Sequence, residues 1–328
     1  MVQENGKLPD WVYDILACPW CKKKLTTSSG KRLACEECQM EFPHGPSGQP
    51  DLRLSGLLQT SLPSVYDPSV TEIPEDLWQI PPEIEARLRE AEDTVGRPEM
   101  DLIAWLIDSV RPGSVVLDLG AMSNRDKKLI ESRGAKYLAV EIDAEDAMIL
   151  GDAHAIPLLD NSVDVLICMS VFEHLKNPFL AAREIRRVLK PKARFIGMVG
   201  FLEPVHGLPH GSFFHHSYLG IYTLLQMSGF EVNYMGVSSR WQAIRPISRS
   251  MLVGLPKRVT YSIIWPLKVF QNILWLAYGL KTGDVRKARA SRDRRLSASV
   301  KFVATNPLSS LHQTAAAEKL RETSLTIR

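Results

Sequence analysis

Apolar and polar positions alternate in blocks through the middle of the chain. SVVLDLG (114–120) and YLAVEID (137–143) are short apolar runs that close on an acidic residue, and GDAHAIP (151–157) follows a short step later. Such runs separated by helix-period segments predict strands of a parallel α/β sheet. Polar groups at the ends of parallel strands meet in one crevice, where such sheets bind ligands. The pattern predicts a helix at about 100–110, a strand at 114–119, a second strand ending at Glu141 and a third at 163–169. Asn177 and Pro178 cap and start a helix with Ala181, Ile185, Val188 and Leu189 on its apolar face. Pro191 is expected to end that helix, and Arg183, Arg186 and Arg187 to lie in solvent. A strand at 195–200, a helix at 217–228 stopped by Gly229, and a strand at 230–237 come next, with 297–305 as an antiparallel final strand. Asp164 fits a structural role at the start of its strand. No lysine follows Gly120, so the first strand end carries no phosphate-cradling P-loop.

The flanks read differently. Cys18, Cys21, Cys35 and Cys38 make C-x2-C-x13-C-x2-C, and Ser28, Ser29 and Gly30 supply a hairpin between the pairs. Two such knuckles can close a tetrahedral thiolate shell, the arrangement of structural zinc; two redox pairs are the weaker reading of this spacing. His44 is surplus to a full shell. Six prolines punctuate 57–98, which predicts a wrapping linker with one short solvated helix at 82–93. Between 263 and 280, 13 of 18 residues are apolar, but Pro266, Lys268, Gln271 and Asn272 interrupt them, so a membrane span is not expected. The net charge of +3 does not by itself imply nucleic acid, but it is unevenly spread. From 281 to 301, eight basic residues stand against Asp284 and Asp293. An interfacial helix over anionic lipid, a lid on the site and a dimer contact all suit this insertion. The polar start of the chain predicts no signal peptide and a cytoplasmic protein, peripheral at the inner membrane surface if the insertion meets lipid.

VVLDLG, AVEID, GDAHAIP, SVDVLICMSVFEHLKNP and RRVLKPKARF, in this order, resemble the class I S-adenosylmethionine-dependent methyltransferase family in its small-molecule form, the type 11 domain. DILACPWCKKKL, LACEECQMEFP and QPDLR resemble the Trm112-like zinc ribbon, whose members partner methyltransferases or are fused to them. The resemblance implies a Rossmann-like α/β fold with a small N-terminal zinc ribbon and a helical insertion before the last strand. The expected division is a ribbon at 1–56, a linker at 57–98, the methyltransferase core at 99–240, the insertion at 241–296, the last core strand at 297–308 and a polar tail at 309–328. It implies S-adenosyl-L-methionine as cofactor and structural Zn2+ on the four cysteines. Asp118 and Gly120 would lie against the methionine part, Glu141 would accept both ribose hydroxyls, Asp152 and Ala153 would meet adenine, and Ser170 would face the reactive end. Met122 and Asn124 stand where the family commonly has further glycines, and Gln39 where a glycine usually follows the fourth cysteine. Only ten residues separate Glu141 from Asp152, too few for the usual intervening helix.

Four of the eight histidines, His206, His210, His215 and His216, fall in the loop after the 195–200 strand. Methyl transfer from a sulfonium needs a positioned acceptor and, for a hydroxyl, removal of its proton, and histidine suits that near neutral pH. His206 is the first candidate base, His174 the second and Glu203 an orienting partner. The alternatives are a second metal site on three of the loop histidines, or histidines that only hold the loop. The expected function is methyl transfer to an O or N atom of a small acceptor, with lipid-linked metabolites among the candidates. RNA methylation through the ribbon and the basic insertion is the alternative enzyme, and a non-catalytic binding or scaffold protein the alternative outside enzymes.

Overall fold

A computed structural model describes residues 8–27, 32–54, 102–121, 126–144, 147–206, 211–237 and 243–308. The expected linker and its helix, the loop holding Met122 and Asn124, His210 and the polar tail lie outside these residues. The centre is a seven-stranded sheet of β4 (Val115–Leu119), β5 (Lys136–Glu141), β6 (Ile149–Leu150), β7 (Val163–Met169), β8 (Leu189–Gly200), β9 (Glu231–Val237) and β10 (Ser299–Thr305), in the order β6-β5-β4-β7-β8-β10-β9. Neighbours from β6 to β8 pair in parallel, and β10 is antiparallel to both β8 and β9. Chain order reverses between β4 and β7, so the crevice beyond their C-terminal ends is the switch point of the sheet.

Continuous apolar runs form the inner strands because helices cover them: every residue of β4 is buried. Phe195 and Phe302 stack edge to face at 4.9 Å in the middle of the sheet. Gly197 makes room for this, since a Cβ there would sit 2.2 Å from the Phe302 ring. Asp164 has the structural role expected, accepting from the Val115 amide and from Lys190.

Helix α2 (Leu102–Ser109, after the short N-terminal α1, Asp10–Ile15) precedes β4, and α3 (Lys127–Glu131) follows it. Helix α4 (Pro178–Val188) starts as expected, with Asn177 Oδ1 accepting from the Leu180 amide. It ends earlier than Pro191, because β8 begins at Leu189 and carries Pro191 within it. The expectation that all three α4 arginines are solvated is corrected: Arg183 is exposed, but Arg187 binds Glu184, Asp160 and the carbonyls of Ile156 and Leu158, and Arg186 reaches Asn306. Carbonyls left open around the 156–160 turn draw the Arg187 guanidinium inward, where its five donors find partners. Helix α5 (Tyr218–Met227) is capped by Ser217 and stopped by Gly229 at φ 85.

The cysteine module is a three-stranded antiparallel sheet of β1 (Thr26–Thr27), β2 (Leu33–Cys35) and β3 (Met40–Phe42). Gln39 adopts φ 53, a left-handed position that glycine takes without steric cost, and its side chain bonds the Glu36 carbonyl. The module is docked onto the large sheet. Leu52 donates to the Leu150 carbonyl and Leu150 to that of Pro50, so the segment after β3 pairs with edge strand β6. Leu16 bridges Leu158, and Lys22 pairs with Glu184 at 2.7 Å. An edge strand of two residues exposes unpaired backbone groups, and this docking covers them.

The insertion is an all-helical unit of α6 (Ile244–Met251), α7 (Lys257–Thr282) and α8 (Val285–Leu296). Gly279 lets α7 and α8 approach closely, since a Cβ there would sit 2.8 Å from the Val285 backbone. Gly283, at φ 77, and the Asp284 cap on the Lys287 amide make the turn between them.

Candidate functional site

Parallel strands deliver their C-terminal ends to one edge, and five of them carry the residues of interest there. Gly120 follows β4 with φ +79, and a Cβ on it would lie 2.2 Å from Val171 Cγ2. Only a residue without a side chain fits between these two strand ends. Ser170, after β7, also adopts a left-handed φ of 56, and its amide donates to the Met198 carbonyl. A non-glycine residue held in that region costs free energy, and such residues concentrate at functional sites.

Acidic groups surround this point. Asp118 in β4 is buried and accepts from the Tyr137 hydroxyl at 2.8 Å. Glu141, at the end of β5, is buried, and its Oε2 accepts from the Ile142 amide. Burial pushes the Cys168 thiol well above its ordinary value, and the charges of Glu173, Asp118 and Glu141 push it the same way, so three carboxylates bear on one buried position in β7. Asp118 and Glu141 thus bring two buried acidic side chains to neighbouring strand ends at the switch point.

Asp152 and Ala153 begin a 3-10 turn directly after β6, with Ala153 buried. Asp152 Oδ1 accepts from the backbone and from Nδ1 of His154, the latter at 2.6 Å, while His154 Nε2 accepts from the Asn177 amide. Burial alone would raise the Asp152 carboxyl, but the His154 contacts outweigh it and hold the group below the usual carboxylate range. His154 thus ties the β6 end to the cap of α4, a role that sequence reasoning missed although the histidine sits inside GDAHAIP. As the sequence spacing required, no helix separates β5 from β6 among the described residues.

The expected acceptor side lies past β7 and β8. His174 closes a 3-10 turn, Phe172–His174, and its Nδ1 lies 2.6 Å from the Gly211 carbonyl. His206 packs edge to face on it at 5.0 Å. The Nδ1 of His206 bonds the Pro204 carbonyl and lies 3.5 Å from the Ser212 hydroxyl. Burial raises the carboxyl of Glu203, opposed by the charges of His206 and His215. Glu173, which the sequence reading did not single out, is wholly buried beside these rings, with Oε1 accepting from the Gly200 amide. Of the other loop histidines, His215 is exposed and His216 is buried against Phe172.

Cys18, Cys21, Cys35 and Cys38 converge so that all four sulfurs lie within 4.8 Å of one another, with Cys21 and Cys35 at 3.5 Å. Tetrahedral zinc thiolates are about 3.8 Å apart, so the donor set and spacing fit one such ion. His44 is exposed, in an isolated bridge with Pro50, and outside this group.

Residues 117–197 match a family described as a methyltransferase domain. An uncharacterized methyltransferase-like protein of Schizosaccharomyces pombe is 32% identical over 125 residues, covering 33% of this chain and 48% of its own length. An uncharacterized methyltransferase of Mycobacterium tuberculosis is 33% identical over 117 residues, covering 32% and 46%. The chain thus spans about half the length of these curated relatives. Among solved structures, a chain from the Haloferax volcanii complex between the Trm112 methyltransferase activator and a methyltransferase has a TM-score of 0.41 at 16% identity, covering 71% of this chain and 97% of that one. A Haemonchus contortus phosphoethanolamine N-methyltransferase 2 solved with S-adenosyl-L-methionine has a TM-score of 0.39 at 16% identity, covering 63% and 52%. The order of the motifs along the strands and the family match agree on the same segment: residues 117–197 of this chain match the methyltransferase-domain family.

Proposed function

We propose that the protein transfers a methyl group from S-adenosyl-L-methionine to an O or N atom of a small, lipid-linked acceptor. The observation that carries this reading is the gathering of buried Asp118 and Glu141, left-handed Gly120 and Asp152 at the strand ends beside the switch point of the sheet. When bound, the cofactor supplies an electrophilic methyl on a cationic sulfonium. Glu141 is assigned to the ribose hydroxyls, Asp152 and Ala153 to adenine, and Asp118, Gly120 and Ser170 to the methionine end. Asp152 suits its part, because the contacts that hold its carboxyl ionised use Oδ1 and leave Oδ2 for a donor.

On the acceptor side, His206 and His174 are the groups able to take a proton. Each ring points Nδ1 at a backbone carbonyl, a contact that places the proton there and leaves the Nε2 lone pair for another partner. The ribbon, 1–56, serves as support for the 99–240 core and the 297–308 strand, holding structural Zn2+ through its four cysteines.

Support for the lipid-linked class comes from α7. Trp265 and Leu280 are 65% and 68% exposed, and Ile263, Leu267, Phe270, Ile273, Leu274 and Leu276 are also exposed. Monomeric proteins rarely present so continuous an apolar face, and it calls for a partner. Basic α8 lies directly beside it, so the partner we assign is an anionic lipid surface. No helix among the described residues is long and apolar enough to cross a membrane, so contact at the interface is the arrangement proposed. RNA would use the same charges but would leave the apolar face in water.

The test is incubation with tritiated S-adenosyl-L-methionine and a bacterial lipid extract, or total RNA. Label entering the organic phase is expected. Label in the RNA fraction alone would replace the lipid reading, and none in either would favour a non-catalytic binding protein.

A further inference from the structure

The cysteine cluster is not the one place where metal-ligating side chains converge. One potential ligand atom from each of Glu173, His174 and His206 lies within 4.8 Å of the other two. We propose that these three residues form a second metal site, binding a divalent first-row transition cation at the acceptor end of the crevice.

Three observations carry it. Glu173 is wholly buried, and its Oε2 has no hydrogen-bond partner among the described residues. A buried, unpartnered carboxylate oxygen is costly, and a cation is a natural group to satisfy it. Next, Nδ1 of His174 lies 2.6 Å from the Gly211 carbonyl and Nδ1 of His206 lies 3.0 Å from that of Pro204. Metal-binding imidazoles regularly donate their second N–H to a carbonyl in this way, which fixes the ring and frees the other nitrogen as ligand. Finally, the backbone is already braced: the Phe213 and Phe214 amides both donate to the Glu173 carbonyl, so the segment that orients His174 also holds Glu173.

The donor set selects the ion. Two imidazoles and one carboxylate favour Zn2+, Co2+, Fe2+ or Mn2+ over Mg2+ and Ca2+, which prefer oxygen alone. Three protein ligands leave coordination positions open, as catalytic sites do and the closed thiolate shell does not. Those positions suit water or an oxygen of the acceptor; in the metal-loaded protein both Nε2 atoms are ligands and no longer bases, so the acceptor's proton would be acidified by the cation and lost to water. The acceptor's part rests on the methyltransferase reading; binding of the cation does not.

Zinc-loaded protein, freed of loosely held metal on a chelating resin, is titrated with Co2+ by calorimetry and visible absorption. The expected result is one further ion per chain, with nitrogen and oxygen ligand-field bands and without intense thiolate-to-cobalt charge transfer. Glu173→Gln, which keeps the side-chain shape, and His206→Ala, at the solvent edge, should each weaken binding at least about ten-fold, with one zinc per chain retained. Absence of saturable binding, or binding equally tight in both variants, would overturn the site. S-adenosylmethionine titrated into the same samples separates the two claims: cobalt bound without the nucleoside would sink the transfer reading alone, and the reverse would sink the metal site alone.

Discussion

At the scale of single residues, Gly120 is the least replaceable position in the crevice. Alanine there must adopt φ +79, at a cost of roughly 1–2 kcal/mol, and drive its Cβ into Val171. Gly120→Ala should therefore reduce affinity for S-adenosyl-L-methionine by at least about ten-fold while the protein still folds, read by calorimetry beside circular dichroism. His216 gives a pH signature. Burial lowers its pKa from the ordinary histidine value, with His215 adding to the effect and the Phe172 carbonyl opposing it. A folded-state pKa below the unfolded one means that its stabilising effect is complete above about pH 6.5 and is lost as pH falls toward the lowered value. The melting temperature should fall between pH 7 and 5.5, and His216→Gln should flatten that fall. Some of this scale could be read in the chain itself: the Asn177 cap, the supporting part of Asp164 and the convergence of four cysteines. Glu173, His154 and Arg187 could not, because what distinguishes them is burial and contact with segments distant in sequence.

At the scale of elements, strands with unbroken apolar runs were legible because burial on both faces leaves that imprint, and the 163–169 strand has the predicted bounds. The start of β8 was not, since Lys190, Pro191 and Lys192 read as a helix stop although they enter the strand. Nor was the docking of the ribbon, where backbone pairing of Leu52 with Leu150 carries no side-chain signature. That docking makes the ribbon part of the sheet's edge. Stripping zinc with a strong chelator, or Cys35→Ser, should unfold the ribbon and uncover β6. Differential scanning calorimetry should then show the main transition several degrees lower; an unchanged transition would mean that the ribbon stabilises nothing beyond itself. Lys22→Met should lower it less, because one ion pair between partly buried groups contributes only about 1 kcal/mol.

At the scale of the whole molecule, two surfaces oppose each other in character: a crevice with buried acidic side chains at the strand ends and an apolar, basic helical unit beyond them. The composition of 263–301 anticipated the second, but not that α7 would keep its apolar side chains in solvent while packing on α8. If that face meets lipid, sedimentation with vesicles containing phosphatidylglycerol should carry the protein down. Trp265→Glu combined with Ile273→Glu should cut the bound fraction about ten-fold, and 0.5 M salt should weaken it partly, since only the basic share of the attraction is screened. Equal binding to neutral vesicles would leave α8 without a part.

The central claim is that the crevice at the β4–β7 switch point holds S-adenosyl-L-methionine. It is tested most directly by calorimetric titration of the zinc-loaded protein with S-adenosyl-L-methionine and S-adenosylhomocysteine, with Glu141→Ala in parallel. Micromolar binding of both, weakened at least about ten-fold in the variant as loss of hydrogen bonds to a charged group requires, is the predicted result. No heat of binding from folded protein, or equal affinity in Glu141→Ala, would contradict it.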